Sequence, residues 1–381
     1  MGGSNSDGEG SKPAWPGGAM IGRYRVLRRL AVGGMAELYL AVGQGYQDVH
    51  KLVVLKRIRP GMEARSDMRD MLLDEARLAA RFDHRNLVDV LDFDEVDGQP
   101  FYVMRYVPGA DLRTVLAAAR RHGRSVPLPL AVHVALEVAT ALHHVHELRD
   151  LEGRPLGVVH RDVSTANIRL GLRGEVSLLD FGIAKSRAQC SRTRVGHCKG
   201  NAAYMAPEQC RGEPVGPHTD VFALGIVLYE MVTMRRLFTA KDPLECMQQM
   251  LSGVIVPPSR VCPAVPSSLE SVIITALQPE PSRRYPSALA MAEALEGVMS
   301  LQGWCSHGPA QARFLAELFV APRRPIDEIV ERSVPASNKV CEPDRSTAIE
   351  ASNPQTAPGG PWVGEDERTV RMTAASFGTE V

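Results

Sequence analysis

The sequence predicts an α+β fold, with a strand-rich N-terminal part around one helix and a larger, mainly helical part after it. Three observations predict it. Residues 22–107 carry short apolar alternations split by turn residues, with one helical-period stretch among them. Residues 108–297 carry longer apolar-periodic runs, the longest from Leu128 to Leu148. The chain has 381 residues and is 44% apolar, enough for one large domain with extensions.

Taken in order, residues 1–20 are rich in Gly, Ser and Pro and read as a flexible lead-in. Tyr24 to Leu30 and Leu38 to Val42 alternate as strands on either side of a turn holding Gly33 and Gly34. Leu52 to Ile58 reads as a strand containing Val53-Val54-Leu55-Lys56. Asp74 to Phe82 reads as helix, with Leu72, Ala76 and Ala79 at three- and four-residue steps around Glu75. Val88 to Phe93 and Phe101 to Tyr106 form a predicted hairpin through Asp97-Gly98, a dipeptide that accepts the positive φ of a tight turn. Val221 to Val232 is an apolar run containing Glu230, too short to span a bilayer. Residues 298–332 read as a short helical extension, and 333–381, rich in Pro, Ser, Thr and acidic residues, as a disordered tail.

Composition narrows the function classes. With 44 residues of each charge and a net charge of zero, no basic footprint points to nucleic acid. Seven cysteines without paired spacing fit reduced thiols, so a cytoplasmic location is expected. The N-terminus has no apolar h-region, and neither a signal peptide nor a membrane span is expected.

The chemistry concentrates between residues 160 and 182. His160-Arg161-Asp162, then Asn167, then Asp180-Phe181-Gly182 put two carboxylates and an amide in a turn-rich segment. Phosphoryl transfer from a metal nucleotide requires such a trio: one carboxylate to orient the attacking hydroxyl, and two oxygen donors for Mg²⁺. Alone the match is weak. It lies in an ordered series with the Gly33-Gly34 turn, Lys56 at a strand end, Glu75 on a helix, Ala206-Pro207-Glu208, Asp220 and Arg284. On that series the chain resembles the protein kinase superfamily, in particular the bacterial eukaryotic-like (Hanks-type) Ser/Thr kinases, over residues 22–297.

The resemblance implies the two-lobed protein kinase fold: a small antiparallel β-sheet lobe with one helix (22–107) and a larger, mainly helical lobe (108–297). It implies ATP and Mg²⁺ as cofactors and a protein substrate with a Ser/Thr acceptor. Carried over residue by residue, Lys56 would meet the ATP phosphates and Glu75 would hold its ammonium. Asp162 would take the substrate hydroxyl's hydrogen bond, and Asn167 and Asp180 would ligate Mg²⁺. Ala31, Val32, Gly33, Gly34 and Leu38 would cover the nucleotide, with Val54 above the base and Arg169 below it. Met104 would border the deep end of the pocket, the Arg105 carbonyl and Val107 amide would bond adenine, and Asp111 would reach the ribose. Arg161 would receive a phosphorylated activation loop, where Thr193, Ser191 and Ser186 are the candidate autophosphorylation hydroxyls. His160 and Phe181 would pack, Glu208 and Arg284 would pair, and Asp220 would cap the catalytic-loop backbone.

Four departures from the family pattern stand out. Ala31 and Ala36 replace glycines of the phosphate turn, and alanine resists positive φ. Ser164 stands where Ser/Thr kinases place a lysine that touches the γ-phosphate, removing a cation from an electrostatic site. Asn201 replaces the threonine that bonds that lysine. Arg169 replaces an apolar residue beneath adenine, where a guanidinium could stack on the base or, as a desolvated cation, weaken nucleotide binding, and Val54 replaces a smaller alanine above it. Cys190, His197, Cys198 and Cys210 match no zinc-finger spacing. The alternative reading is a catalytically weak or inactive pseudokinase serving as a nucleotide-regulated or partner-binding scaffold. Small-molecule phosphorylation is disfavoured, because the Ala206-Pro207-Glu208 segment belongs to peptide-docking kinases.

Overall fold

A computed structural model describes residues 14–44, 50–62, 66–181, 202–239, 243–305 and 308–319. All of these fall in the first of two compact units, Met1–Val334; the second, Pro335–Val381, lies outside them. Thr193, Ser191, Ser186 and Asn201 also lie outside the described residues, as do Gly182 and the predicted tail.

The small lobe is an antiparallel sheet of β1 (Met20–Ile21), β2 (Tyr24–Val32), β3 (Ala36–Gln44), β4 (His50–Ile58), β5 (Val90–Val96) and β6 (Gln99–Arg105), in the order β1-β2-β3-β4-β6-β5. Strand alternation sends its apolar residues to two faces. Val53 and Leu55 of β4 join Tyr39, Ala41, Phe101 and Val103 on one side. Leu52 joins Leu40 and Val42 on the other, the side that carries Lys56. The β5–β6 hairpin turns through Asp97 (φ 51°) and Gly98 (φ 72°), both in the left-handed region that a two-residue turn requires.

Helix α1 (Ser66–Ala79) lies against the sheet through Met68, Met71, Leu72 and Ala76, which pack on Ile58 and Tyr102. That stripe fixes the rotation of the helix and turns Glu75 inward. The lead-in is shorter than the sequence suggests. Trp15 packs edge-on against Phe101 and lies 4.4 Å over the guanidinium of Arg57. Arg57 is fully buried and bonds Glu37 and Gln99 at 2.9 Å each. An indole over a desolvated guanidinium is a favourable cation–π contact, and it anchors residues 14–18.

The large lobe begins with β7 (Gly109–Asp111), α2 (Leu112–Arg121) and α3 (Leu128–His146). Strand β8 (Ile168–Gly171) pairs with β7 on one side and with β9 (Val176–Leu178) on the other, a three-stranded sheet that the sequence pattern does not reveal. Strands of three or four residues are too short to show a period. Helices α4 (Pro207–Arg211), α5 (Pro217–Thr233), α6 (Pro243–Ser252), α7 (Pro258–Val261), α8 (Ser267–Ala276), α9 (Ala288–Leu301) and α10 (Gly308–Leu318) complete it. The run from Val221 to Val232 is buried all round in α5, as its uninterrupted hydrophobicity requires. Among the described residues α3 is the helix long and apolar enough to cross a bilayer. Its apolar residues are spent in the core shared with α5 and α9.

Candidate active site

Three elements converge on one ammonium. Lys56 on β4 donates to Glu75 Oε1 on α1 and to Asp180 Oδ1 after β9, each at 2.7 Å. Tyr102 of β6 adds a hydrogen bond to the same Glu75 oxygen at 3.0 Å. Burial alone would push the Lys56 pKa down, but the Asp180 and Glu75 carboxylates outweigh it and hold it well above the ordinary lysine value. The cation is thus permanently charged and fixed in direction. Asp180 is the most open member, its side chain about a third exposed.

The second group sits in the loop between α3 and β8. Asn167 Nδ2 donates to the Asp162 carbonyl at 2.8 Å and to Asp162 Oδ2 at 3.0 Å, locking the carboxylate's orientation. With its nitrogen so used, Asn167 presents Oδ1 as its acceptor. Asp220, buried on α5, accepts from the His160 and Arg161 backbone amides at 2.8 Å each and from His146 Nε2 at 2.8 Å. A carboxylate only accepts, so His146 Nε2 is the donor. This clamp holds Arg161 at φ 64°, a left-handed conformation that costs an arginine about 1–3 kcal/mol.

His160 does more than pack. Its Nε2 donates to the Leu179 carbonyl at 3.1 Å, and its Nδ1 accepts from the Asp162 amide at 3.3 Å. The Nδ1 acceptor requires the neutral ring, and burial lowers the His160 pKa accordingly. One imidazole therefore ties the backbone at Asp162 to the residue preceding Asp180. Phe181 is stacked between His160 and Phe82, with 4.4 Å between centroids on each side. Sequence reasoning missed Phe82. The sequence reads it as the last residue of a helix, whereas α1 runs from Ser66 to Ala79 and Phe82 lies three residues past its end.

The glycine turn raises no conformational conflict. Ala31 and Ala36 lie on β2 and β3, and none of the residues from Ala31 to Ala36 has positive φ. Gly33 N closes the turn on the Ala36 carbonyl at 2.8 Å, and Val32 and Gly34 are exposed beside it. Leu38 pairs with Lys56, and Val54 pairs with Met104, so these line the sheet next to the lysine.

Arg169 departs from the sequence expectation. Its Nε donates to the Val107 carbonyl and its Nη2 to the Gly109 carbonyl at 2.9 Å, with the Tyr106 ring 5.7 Å away. The guanidinium is committed to backbone oxygens, so the cost of an unsatisfied desolvated cation does not arise. Arg105 is held by Asp89 at 3.0 Å and by the Leu87 carbonyl. Asp111 caps α2 by accepting from Thr114 N at 2.9 Å. Ser164 is fully buried, and its neighbour Thr165 shares a 2.8 Å hydrogen bond with Tyr204, which in turn donates to Glu230 at 2.7 Å. Glu208 and Arg284 form a bidentate pair, 2.8 Å on both arms and buried on both sides. Burial pushes Glu208 up, and the Arg284 guanidinium more than reverses that.

Among the described residues no cluster of His, Cys, Asp or Glu forms a closed metal site. Asp180 and the Asn167 carbonyl instead offer hard oxygen donors at the open end, which suits a cation that keeps waters and shares its ligands with phosphates.

A family model described as the protein kinase domain matches residues 24–295. The tyrosine-protein kinase MasK of Myxococcus xanthus is 41% identical over 73% of this chain and 43% of its own length. The serine/threonine-protein kinases PknH of Mycobacterium bovis and PrkC of Bacillus subtilis are 32% and 31% identical, covering 74% and 71% of this chain and 43% and 40% of their own. The chain thus spans about two fifths to half the length of the curated relatives it matches. A crystal structure of the Mycobacterium tuberculosis PknI kinase domain superposes with a TM-score of 0.55 at 26% identity, over 75% of this chain and 99% of that one.

Proposed function

Since the chain belongs to the protein kinase family, whose cofactors are ATP and Mg²⁺, we propose that it transfers the ATP γ-phosphoryl group to Ser/Thr hydroxyls of proteins. The observation that carries this reading is the Lys56 ammonium held by both Glu75 and Asp180, beside an Asp162–Asn167 pair already joined. Relatives named as serine/threonine kinases and one named as a tyrosine kinase support the common activity. The Ser/Thr preference rests on the overall resemblance.

Each residue has a task in this reading. Asp162 accepts the hydrogen bond of the incoming hydroxyl and then its proton, and Asn167 keeps that carboxylate aimed. Asp180 and Asn167 Oδ1 would hold Mg²⁺, which supplies charge neutralisation on the phosphates. Lys56 contributes a fixed cation in a site largely closed to water, where its charge acts strongly. Val107 N and Arg105 O would read the base, and Arg169 would form the floor beside them. Activation-loop autophosphorylation at Thr193, Ser191 or Ser186 belongs to the same proposal.

Incubation with labelled ATP, Mg²⁺ and a protein acceptor tests it, followed by acid hydrolysis to identify the phosphoamino acid. Wild type should yield phosphoserine or phosphothreonine, and Asp162→Asn should lower kcat by roughly 10²–10⁴. Phosphotyrosine would move the specificity to that of the MasK-like relatives. No label from wild type, with nucleotide still bound, would favour the scaffold reading that Ser164 suggests.

A further inference from the structure

The matched family region ends at residue 295, yet the chain builds one more helix, α10, into the large-lobe core. Phe314, Leu315 and Leu318 are buried there. Apolar packing would hold any helix. Three polar and backbone contacts point instead to a specific target. Gln311, completely buried, donates through Nε2 to the Glu175 carbonyl at 2.8 Å and the Gly171 carbonyl at 3.3 Å. Gly308 lies so close to Gly174 that a Cβ on Gly174 would come within 2.2 Å of the Gly308 backbone. Arg124, just beyond α2, pairs with Glu317 and lies 5.5 Å over the Phe314 ring.

Those targets lie beside the backbone segment 107–111, which holds the proposed adenine contact at Val107. Gly171 is paired with Gly109 on β7, and Leu172 N donates to the Pro108 carbonyl at 2.8 Å. Gly109 cannot carry a side chain, because a Cβ there would meet the Leu170 carbonyl at 2.0 Å. Two positions before Gly171 on the same strand, Arg169 bonds the Val107 and Gly109 carbonyls. Helix α10 thus contacts the β8–β9 turn, next to the strand paired with segment 107–111, through Gln311 and Gly308, and Arg124 beyond the far end of α2 through Glu317 and Phe314.

We infer that α10 is a positioning element for the nucleotide site. Gln311 fixes the β8–β9 turn, β8 fixes the backbone of 107–111, and that backbone sets where a base is bound. The inference rests on the proposed reading of the cleft as an ATP site. It adds that the helix following the matched domain controls nucleotide affinity.

The test uses the full chain and a non-hydrolysable ATP analogue with Mg²⁺, titrated calorimetrically. Gln311→Leu should weaken binding at least about fivefold, the lower end of ordinary coupling between sites. The KM for ATP should rise in parallel while kcat at saturating ATP holds within about twofold, as expected for lost ground-state binding. Leu295→Ala on α9, which loses core packing away from the turn, should lower Tm yet leave the dissociation constant within about twofold. Equal affinity in wild type and Gln311→Leu would overturn the inference and leave the kinase reading standing. Should Gln311→Leu not fold, hydrogen exchange on wild type decides: nucleotide must slow amide exchange in 308–318 and 171–175, and unchanged exchange there overturns it. A wild-type chain that binds no nucleotide would end both proposals.

Discussion

A lysine ammonium shielded from water keeps its charge only when carboxylates meet it at contact distance. Lys56 has two, from elements far apart in sequence, so folding and site assembly are one event at this residue. The candidate site residues were legible through the resemblance of an ordered motif series to the protein kinases, and the structure brings Lys56 to Glu75 and Asp180, and Asn167 to Asp162. Phe82 was not, since it read as one more apolar residue at the end of a helix, with nothing to single it out. Its ring nonetheless supports Phe181, and through it the segment carrying Asp180. Phe82→Ala should destabilise the chain by about 3–5 kcal/mol in urea titrations and lower kcat. A loss of stability with kcat unchanged would show that Phe181 is held without it.

At the scale of elements, the strands with clear alternation and the helices with clear stripes were readable, and β7 to β9 were not. Those short strands are specified by tertiary pairing, with Gly109 chosen for close approach to Leu170 rather than for any local preference. The lead-in looked featureless because one tryptophan cannot announce that it will cover a buried arginine. The Ala206-Pro207-Glu208 segment is tied to the large lobe by the ion pair of Glu208 with Arg284, walled off from water. Removing one partner strands the other charge. Glu208→Ala should therefore cost about 3–5 kcal/mol by denaturant unfolding. A change below about 1 kcal/mol, the value typical of exposed pairs, would mean that the pair is solvated in solution.

Across the whole molecule, the Lys56–Asp180 contact joins the two lobes, and within the large lobe His160 links the Asp162 and Asp180 segments. His160 carries a pH signature. Its folded-state pKa lies below the ordinary histidine value of about 6.5, because burial disfavours the imidazolium. The unfolded chain then binds more protons below that value, so this residue makes stability rise with pH up to about 6.5 and adds nothing above it. Glu75 and Glu230, raised by burial, act with the opposite sign, lowering stability as pH rises above the ordinary carboxylate value. The contribution is therefore read as a difference: between about pH 5 and 7, Tm should climb less steeply in His160→Phe than in wild type. Parallel profiles would show that the ring is not held neutral.

The claim on which these scales meet is that Lys56, Asn167 and Asp180 together hold a metal-bound triphosphate. The direct measurement is the affinity for ATP by calorimetry, with Mg²⁺ and with the metal chelated, in wild type, Lys56→Met and Asp180→Asn. The account predicts tight binding by wild type that weakens on chelation, weaker binding by Lys56→Met, and little response to Mg²⁺ in Asp180→Asn. Affinity indifferent to the metal and to both substitutions would contradict it.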